Sequence, residues 1–284
     1  MALAVFGMPE TRDAQGRHLD PAGQTLAITT LAALSFVAIE GPHWQWSAPI
    51  LLLGALGIAC GVAFVFWEKD RRGALVPLDL FAKREFSASL AVAGMMTFGM
   101  YSMLFLTPLY LQSLGGESAV VVGLVLLPLS VVFVIVSQVS GALTKRLGAR
   151  FMMSAGMAAM GAGVAMLALV GAKPNLWLIQ VALLVIGLGL GLNTGPVNAV
   201  AVASVPPARA GTASGLVNTA RMVGATLGIA VLGALFAQHA GGKSPEGTVE
   251  GLRLAYGAGA AVELIGAMIA LIFIRANSTE QKKA

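Results

Sequence analysis

The chain has 284 residues, of which 57% are hydrophobic and only 11% charged, and its formal net charge is +5. A water-soluble domain carries about a quarter charged residues, so this composition excludes an ordinary soluble enzyme or binding module and makes the bilayer the solvent. The basic residues fall in short turns between apolar runs and form no continuous face, which excludes a nucleic-acid surface, and the lone Cys60 allows no disulfide or cysteine metal site within the chain.

The opening stretch, residues 1–21, begins "MALAVFGMPETRD". Its apolar part is shorter than the roughly 20 residues a spanning helix needs, and it lacks the basic leader of a signal peptide. It reads as the end of a helix whose earlier turns lie upstream, with a frayed tail as the plainer alternative. Eight runs long enough to cross follow, at 22–39, 48–67, 87–111, 119–143, 151–171, 176–204, 212–238 and 255–274. Helices are expected, because each satisfies its own backbone hydrogen bonds in lipid, and the runs lack the alternation of barrel strands. The expected fold class is therefore an all-α polytopic membrane protein. Its parts are a lead-in (1–21), two helices (22–67), a linker (68–86), six helices (87–275) and a tail (276–284).

Charge orients the bundle. The amino terminus, alternate loops and carboxyl tail hold fourteen Lys and Arg, whereas the remaining loops hold only Lys173, Lys243 and Arg253. The excess of positive charge marks the cytoplasmic side, so both termini are expected there. Trp44, Trp46, Trp67 and Trp177 all fall at expected membrane interfaces, where amphipathic rings settle. The loops leave no room for a soluble catalytic domain. His18, His43 and His239 have no metal-ligand spacing, and the hydrolase, zinc-protease and phosphate-loop motifs are missing from the sequence. No enzyme activity, cofactor or metal is expected.

Polar residues inside the runs are the functional candidates. Arg221 lies about ten residues into the seventh run, roughly 15 Å deep at 1.5 Å per residue. Ser214, Asn218, Gly224, Ala225 and Gly228 share its helix face, so that face is expected to meet protein or water. Asn193, Thr194 and Asn198 in the sixth run and Glu263 in the eighth reach a similar depth. Gly187, Gly191 and Gly195 recur every four residues, as do Gly211 with Gly215 and Gly224 with Gly228, which suits close helix approach. Gly195 with Pro196 is also placed to break the sixth helix beside a binding site.

Three stretches together resemble one family. "VPLDLFAKREF" (76–86) resembles the inner linker that precedes the second six-helix half of fourteen-span drug/proton antiporters, a branch of the major facilitator superfamily. "GALTKRLGAR" (141–150) resembles the superfamily's signature turn, G-x-L-a-D-r-x-G-r-k. Gly141, Leu143, Arg146, Gly148 and Arg150 match it, while Lys145 stands at the usual Asp position and Ala149 replaces a basic residue. "GTASGLVNTARMVGATLGIAVLGALF" (211–236) is similar to the fifth helix of the second half in the same antiporters.

The resemblance implies a carboxyl-terminal part: the two central extra helices, then the second six-helix half, with "ALAVFGMPE" as the end of the preceding helix and the first half absent. It implies part of a proton-coupled exporter of amphipathic compounds in the bacterial inner membrane, working by alternating access and inactive alone. Its expected partners are lipid, a small amphipathic substrate, protons and an amino-terminal six-helix half. The third and sixth helices would line the cavity, which makes Asn193, Thr194 and Asn198 the substrate candidates. Arg221, Asn218, Gly195 and Pro196 become candidates for switching or the interface between halves, and Gly141, Arg146, Gly148 and Arg150 form the signature turn. Glu263 is a buried acid for which helix packing is the plainer role. The alternative is a non-transporting scaffold or assembly subunit, or a degenerate transporter remnant.

Overall fold

The computed structural model describes residues 20–41, 44–69, 78–240 and 244–275. The lead-in up to residue 19, including the expected helix end at "ALAVFGMPE", part of the linker and the tail from residue 276 lie outside them. Among the described residues there is no strand, and eight helices are long and apolar enough to cross a membrane. They are α1 (Pro21–Glu40), α2 (Ala48–Glu68), α3 (Arg84–Ser113), α4 (Ala119–Leu147), α5 (Ala149–Leu167), α6 (Leu176–Ala203), α7 (Ala210–Ala240) and α8 (Pro245–Phe273). Each corresponds in order to one of the eight expected runs.

The helix ends show why these segments stop where they do. Asp20 caps α1 by accepting from the Gly23 amide at 3.1 Å, and Trp67 at the end of α2 donates to the same carboxylate at 3.2 Å, which closes the α1–α2 hairpin. Three boundaries differ from the hydropathy reading by four residues or more, the first being the end of α4, at Leu147 rather than near 143. Helix α5 ends at Leu167 rather than near 171. Helix α8 begins at Pro245 rather than near 255, because Ser244 accepts from the Gly247 amide at 3.1 Å and Pro245 sits at the first turn, where its missing N–H costs nothing. Arg253 is therefore on a helix, not in a loop, and its Nε donates to the Val170 carbonyl at 3.1 Å.

Helices α3 to α8 form one bundle. The tightest pairings are α5 with α6, α3 with α7, α4 with α6 and α5 with α8, while α1 and α2 pair with each other and α1 also touches α7. Two apolar clusters fill the interior. One surrounds Met103, Leu106, Tyr110, Leu183 and Tyr256, and the other surrounds Phe86, Met96, Met153, Met157, Met160 and Val217. Helices α1, α2 and α4 keep most of their apolar side chains on the outside, as surfaces bathed by lipid do.

Among the described residues the Lys and Arg lie at one end of the helices, apart from Lys173 and Arg253 at the other end and Arg221 between. At this basic end the described part of the linker packs on the bundle. Its 3₁₀ turn Leu78–Ala82 buries Leu80 completely, Phe81 meets Phe86 edge-on at 5.8 Å, and Asp79 pairs with Arg209 at 2.6 Å.

Candidate functional site

Helix α7 is pulled against α3 by its glycines. A Cβ at Gly224 would overlap the Gly94 carbonyl, and one at Gly228 would overlap the Phe98 carbonyl, so only hydrogen permits this approach. Thr97 of α3 fastens the same seam, its Oγ1 donating to the Arg221 carbonyl at 2.7 Å. This seam splits the face that the sequence assigns to Arg221. Gly224, Ala225 and Gly228 are buried in it, whereas Ser214 and Asn218 are exposed.

The Arg221 side chain turns to α6. Its Nη2 donates to the Thr194 carbonyl at 3.4 Å, and the Asn198 side-chain amide donates to the same oxygen at 3.2 Å. The Arg221 Nε is buried with no hydrogen-bond partner. Thr194 and Asn198 are half-buried and Gly195 is exposed. Thr194, Asn198 and Arg221 thus meet at one polar contact between α6 and α7, with Gly195 exposed next to Thr194 and Asn218 exposed one turn before Arg221. Apolar side chains such as Leu184, Leu188, Val131 and Ile135 are also exposed on α6 and α4, and so is Gln138 of α4.

Helix α6 runs unbroken through Pro196, which is buried and withdraws one backbone N–H from the ladder. The helix break at Gly195-Pro196, the alternative to plain packing, is therefore absent. Gly187 and Gly191 meet the backbone and side chains of α4 at Leu129 and Val136, while a Cβ at Gly195 would meet only Ser140 Oγ at 3.1 Å. Ser140 itself bonds within α4, to the Ser137 carbonyl at 2.8 Å.

Two candidates of similar depth do not join this contact. Asn193 is 0% exposed and faces α5, where a Cβ on Gly156 would lie 3.0 Å from its own Cβ, and neither polar atom of its side chain has a partner. Glu263 is 0% exposed and lies against Gly99 of α3. The signature turn is separate again. Gly148 alone joins α4 to α5 with φ 84° and ψ 151°, a conformation that a side chain disfavours. Gly141 and Arg146 are exposed and Arg150 is half-buried at the basic end.

Several polar contacts of the bundle were not singled out in the sequence. Thr107 and Tyr256 bond at 2.9 Å, Tyr110 donates to the Gly171 carbonyl at 2.7 Å, and Lys83 donates to the Ser204 carbonyl at 2.8 Å. A lone hydroxyl such as Thr97 within an apolar run is the only signal that anticipates them. Among the described residues no cluster of His, Cys, Asp or Glu has the makings of a metal site. An open apolar groove of about 380 Å³ lies between α1 and α2, lined by Leu34, Ile58, Val62 and Phe66, and offers lipid nothing polar to displace.

Comparison with known proteins agrees in one direction. The sequence profile of the Major Facilitator Superfamily matches residues 22–229. The chain is 34% identical over 237 residues to the multidrug resistance protein Stp of Mycobacterium tuberculosis, covering 83% of this chain and 44% of that protein. It is 32% identical over 241 residues to a probable actinorhodin transporter of Streptomyces coelicolor, covering 82% and 42%. With the multidrug efflux pump LfrA of Mycolicibacterium smegmatis it shares 29% identity over 239 residues, covering 83% and 47%. The chain spans about half the length of the curated relatives it matches.

Proposed function

The chain belongs to the major facilitator superfamily, and on that premise we propose that it supplies the carboxyl-terminal part of a proton-coupled multidrug exporter of the inner membrane. In this reading α1 and α2 are the central extra pair, α3 to α8 are the second half, and both termini are cytoplasmic. Drug and proton exchange by alternating access, as two halves rock about a midplane cavity.

The observation that carries this reading is the partly exposed polar contact of Thr194, Asn198 and Arg221 between α6 and α7. A charged side chain facing hydrocarbon costs about 2.5–3.5 kcal/mol or more. A contact like this is stable when it faces protein or a water-filled cavity, which an opposing six-helix unit would provide on the same polypeptide or another. The mixture of apolar surface with a few carbonyl, amide and guanidinium groups suits amphipathic substrates of varied shape. The names of the relatives, which are resistance and export proteins, support the same substrate class.

The test is reconstitution of the chain in proteoliposomes, alone and co-expressed with the first six helices of the mycobacterial relative. Proton-driven efflux of a fluorescent amphipathic dye is expected only from the pair. Efflux by the chain alone would refute its dependence on an opposing unit. An assembled but inert pair would favour the non-transporting scaffold instead.

A further inference from the structure

The turn between α4 and α5 carries three cations and no acid. Lys145 and Arg146 lie in the last turn of α4 and Arg150 in the first turn of α5, with Gly148 alone between the helices. Lys145 and Arg146 are exposed and Arg150 is half-buried. Among the described residues, none of the three has an ion pair or a side-chain hydrogen bond. The described acids at this end are placed elsewhere. Asp79 pairs with Arg209, Glu85 with Arg275, and Glu68 is buried beside Gly23 of α1.

The helix ends add to the imbalance. A cation in the first turn of a helix faces the positive end of its dipole. Gly148 supplies no side-chain cap to α5 and the first turn holds no acid, so nothing in that turn offsets Arg150. Lys145 stands where the signature turn has Asp, which moves the local charge by two relative to that pattern.

Depth and the neighbouring side chains name the ligand. Helix α4 has 29 residues, about 43 Å at 1.5 Å per residue. That exceeds the hydrocarbon layer of about 30 Å and matches the roughly 40–45 Å that includes the headgroups, so the last turn of α4 lies at headgroup level. Leu147 and Phe151, 49% and 56% exposed, flank the cations. Exposed Val131, Ile135 and Val139 recur every four residues along α4 toward Leu147. Free cations at the end of an exposed apolar row suit a ligand that is anionic at one end and hydrocarbon at the other. A soluble anion would use the charges and leave the apolar row unused.

We propose that the α4–α5 turn is a binding site for an anionic phospholipid. Lys145, Arg146 and Arg150 hold the phosphate, and an acyl chain lies along Leu147 and Val139. The site does not depend on the exporter reading above.

The test is native mass spectrometry of the full chain released from nanodiscs that contain equal amounts of phosphatidylglycerol and phosphatidylcholine, which share a phosphate and differ in net charge. Wild-type chain is expected to retain phosphatidylglycerol over phosphatidylcholine by about tenfold or more, because a cation near the surface contributes about fivefold. Lys145→Gln should lower that ratio about fivefold, and Lys145→Asp should bring it close to parity. Lys145 is exposed, so neither change should disturb the fold, and Arg146→Gln gives the same reading at a second position. Lys69→Gln removes an exposed cation at the end of α2 and should leave the ratio within about twofold. Equal retention of the two lipids by the wild-type chain overturns the proposal. So does an equal fall in Lys69→Gln, which would show attraction to the basic end as a whole. Displacement of the retained lipid by millimolar inorganic phosphate would make this a soluble-anion site. Loss of retention on co-expression with the first six helices of the mycobacterial relative would make it a contact with an opposing unit. Either result overturns the proposal.

Discussion

Arg221→Leu separates a group placed for function from one placed for packing. Helix α7 begins at Ala210, so Arg221 lies about 16 Å along it at 1.5 Å per residue, within a hydrocarbon layer about 30 Å thick. In the chain alone its half-buried guanidinium has one long bond, 3.4 Å to the Thr194 carbonyl, and a buried Nε without a partner. The cost of an exposed cation there is about 2.5–3.5 kcal/mol, and a weak bond to a carbonyl returns under about 1 kcal/mol. Leucine, apolar and a good helix former, removes both terms. Reversible unfolding of the isolated chain in nanodiscs is therefore expected to show Arg221→Leu more stable by about 2 kcal/mol, near a thirtyfold change in the folded ratio. The same substitution should abolish efflux by the paired halves at unchanged protein abundance. A loss of stability of similar size in the isolated chain would refute the reasoning and make Arg221 a clamp that holds helix ends together.

Gly224→Ala drives a methyl into the Gly94 carbonyl and Thr97 Oγ1, and overpacking of this kind costs about 1–3 kcal/mol. Gly215→Ala meets open space and should change stability by less than about 1 kcal/mol, in the stabilising direction; thermal denaturation of the two variants side by side decides it. Gly148→Ala forces a side chain into φ 84°, ψ 151° and is expected to cost about 1–3 kcal/mol, read as a lower melting temperature and a lower yield of inserted protein. Asp79→Asn breaks the 2.6 Å pair with Arg209, whose side chains are 40% and 64% exposed in the order Arg209 and Asp79. Its effect on melting should stay under about 1 kcal/mol and disappear in high salt.

The eight helices were legible because hydrocarbon imposes a length and a composition on whatever crosses it, and each apolar run met both. The start of α8 was not, because its first turns carry Glu246, Glu250 and Arg253, which lower hydropathy without breaking a helix that lies at the membrane edge. Polarity within apolar runs singled out Arg221, Thr194, Asn198, Asn193 and Glu263 alike. Direction was not legible. Asn193 and Thr194 differ by one residue, about 100° of rotation on a helix. The close approach of Gly189 to Gly156 turns Asn193 to α5 and leaves Thr194 toward α7. The four-residue glycine spacing announced close contact for α7, but no local signal named α3 as the partner or separated Gly224 and Gly228 from Asn218 on what looked like one face.

The packing is uneven across the bundle. Glycine-mediated backbone contact fastens α7 to α3, through Gly224 and Gly228, and α6 to α5 and α4, through Gly189 and Gly187. Helices α6 and α7 touch each other only lightly, and at mid-depth the long Arg221–Thr194 bond spans them. At the basic end their connection is held more firmly. Lys83 donates to the Ser204 carbonyl that closes α6, and Asp79 grips Arg209 in the 3₁₀ turn Pro207–Arg209 that leads into α7. The two groups are also joined across the bundle, because α8 packs against α5 on one side and against α3 and α7 on the other. A substrate or opposing helix that competes for the Thr194 carbonyl would shift α6 against α7 by the difference in its affinity for the open and closed arrangements.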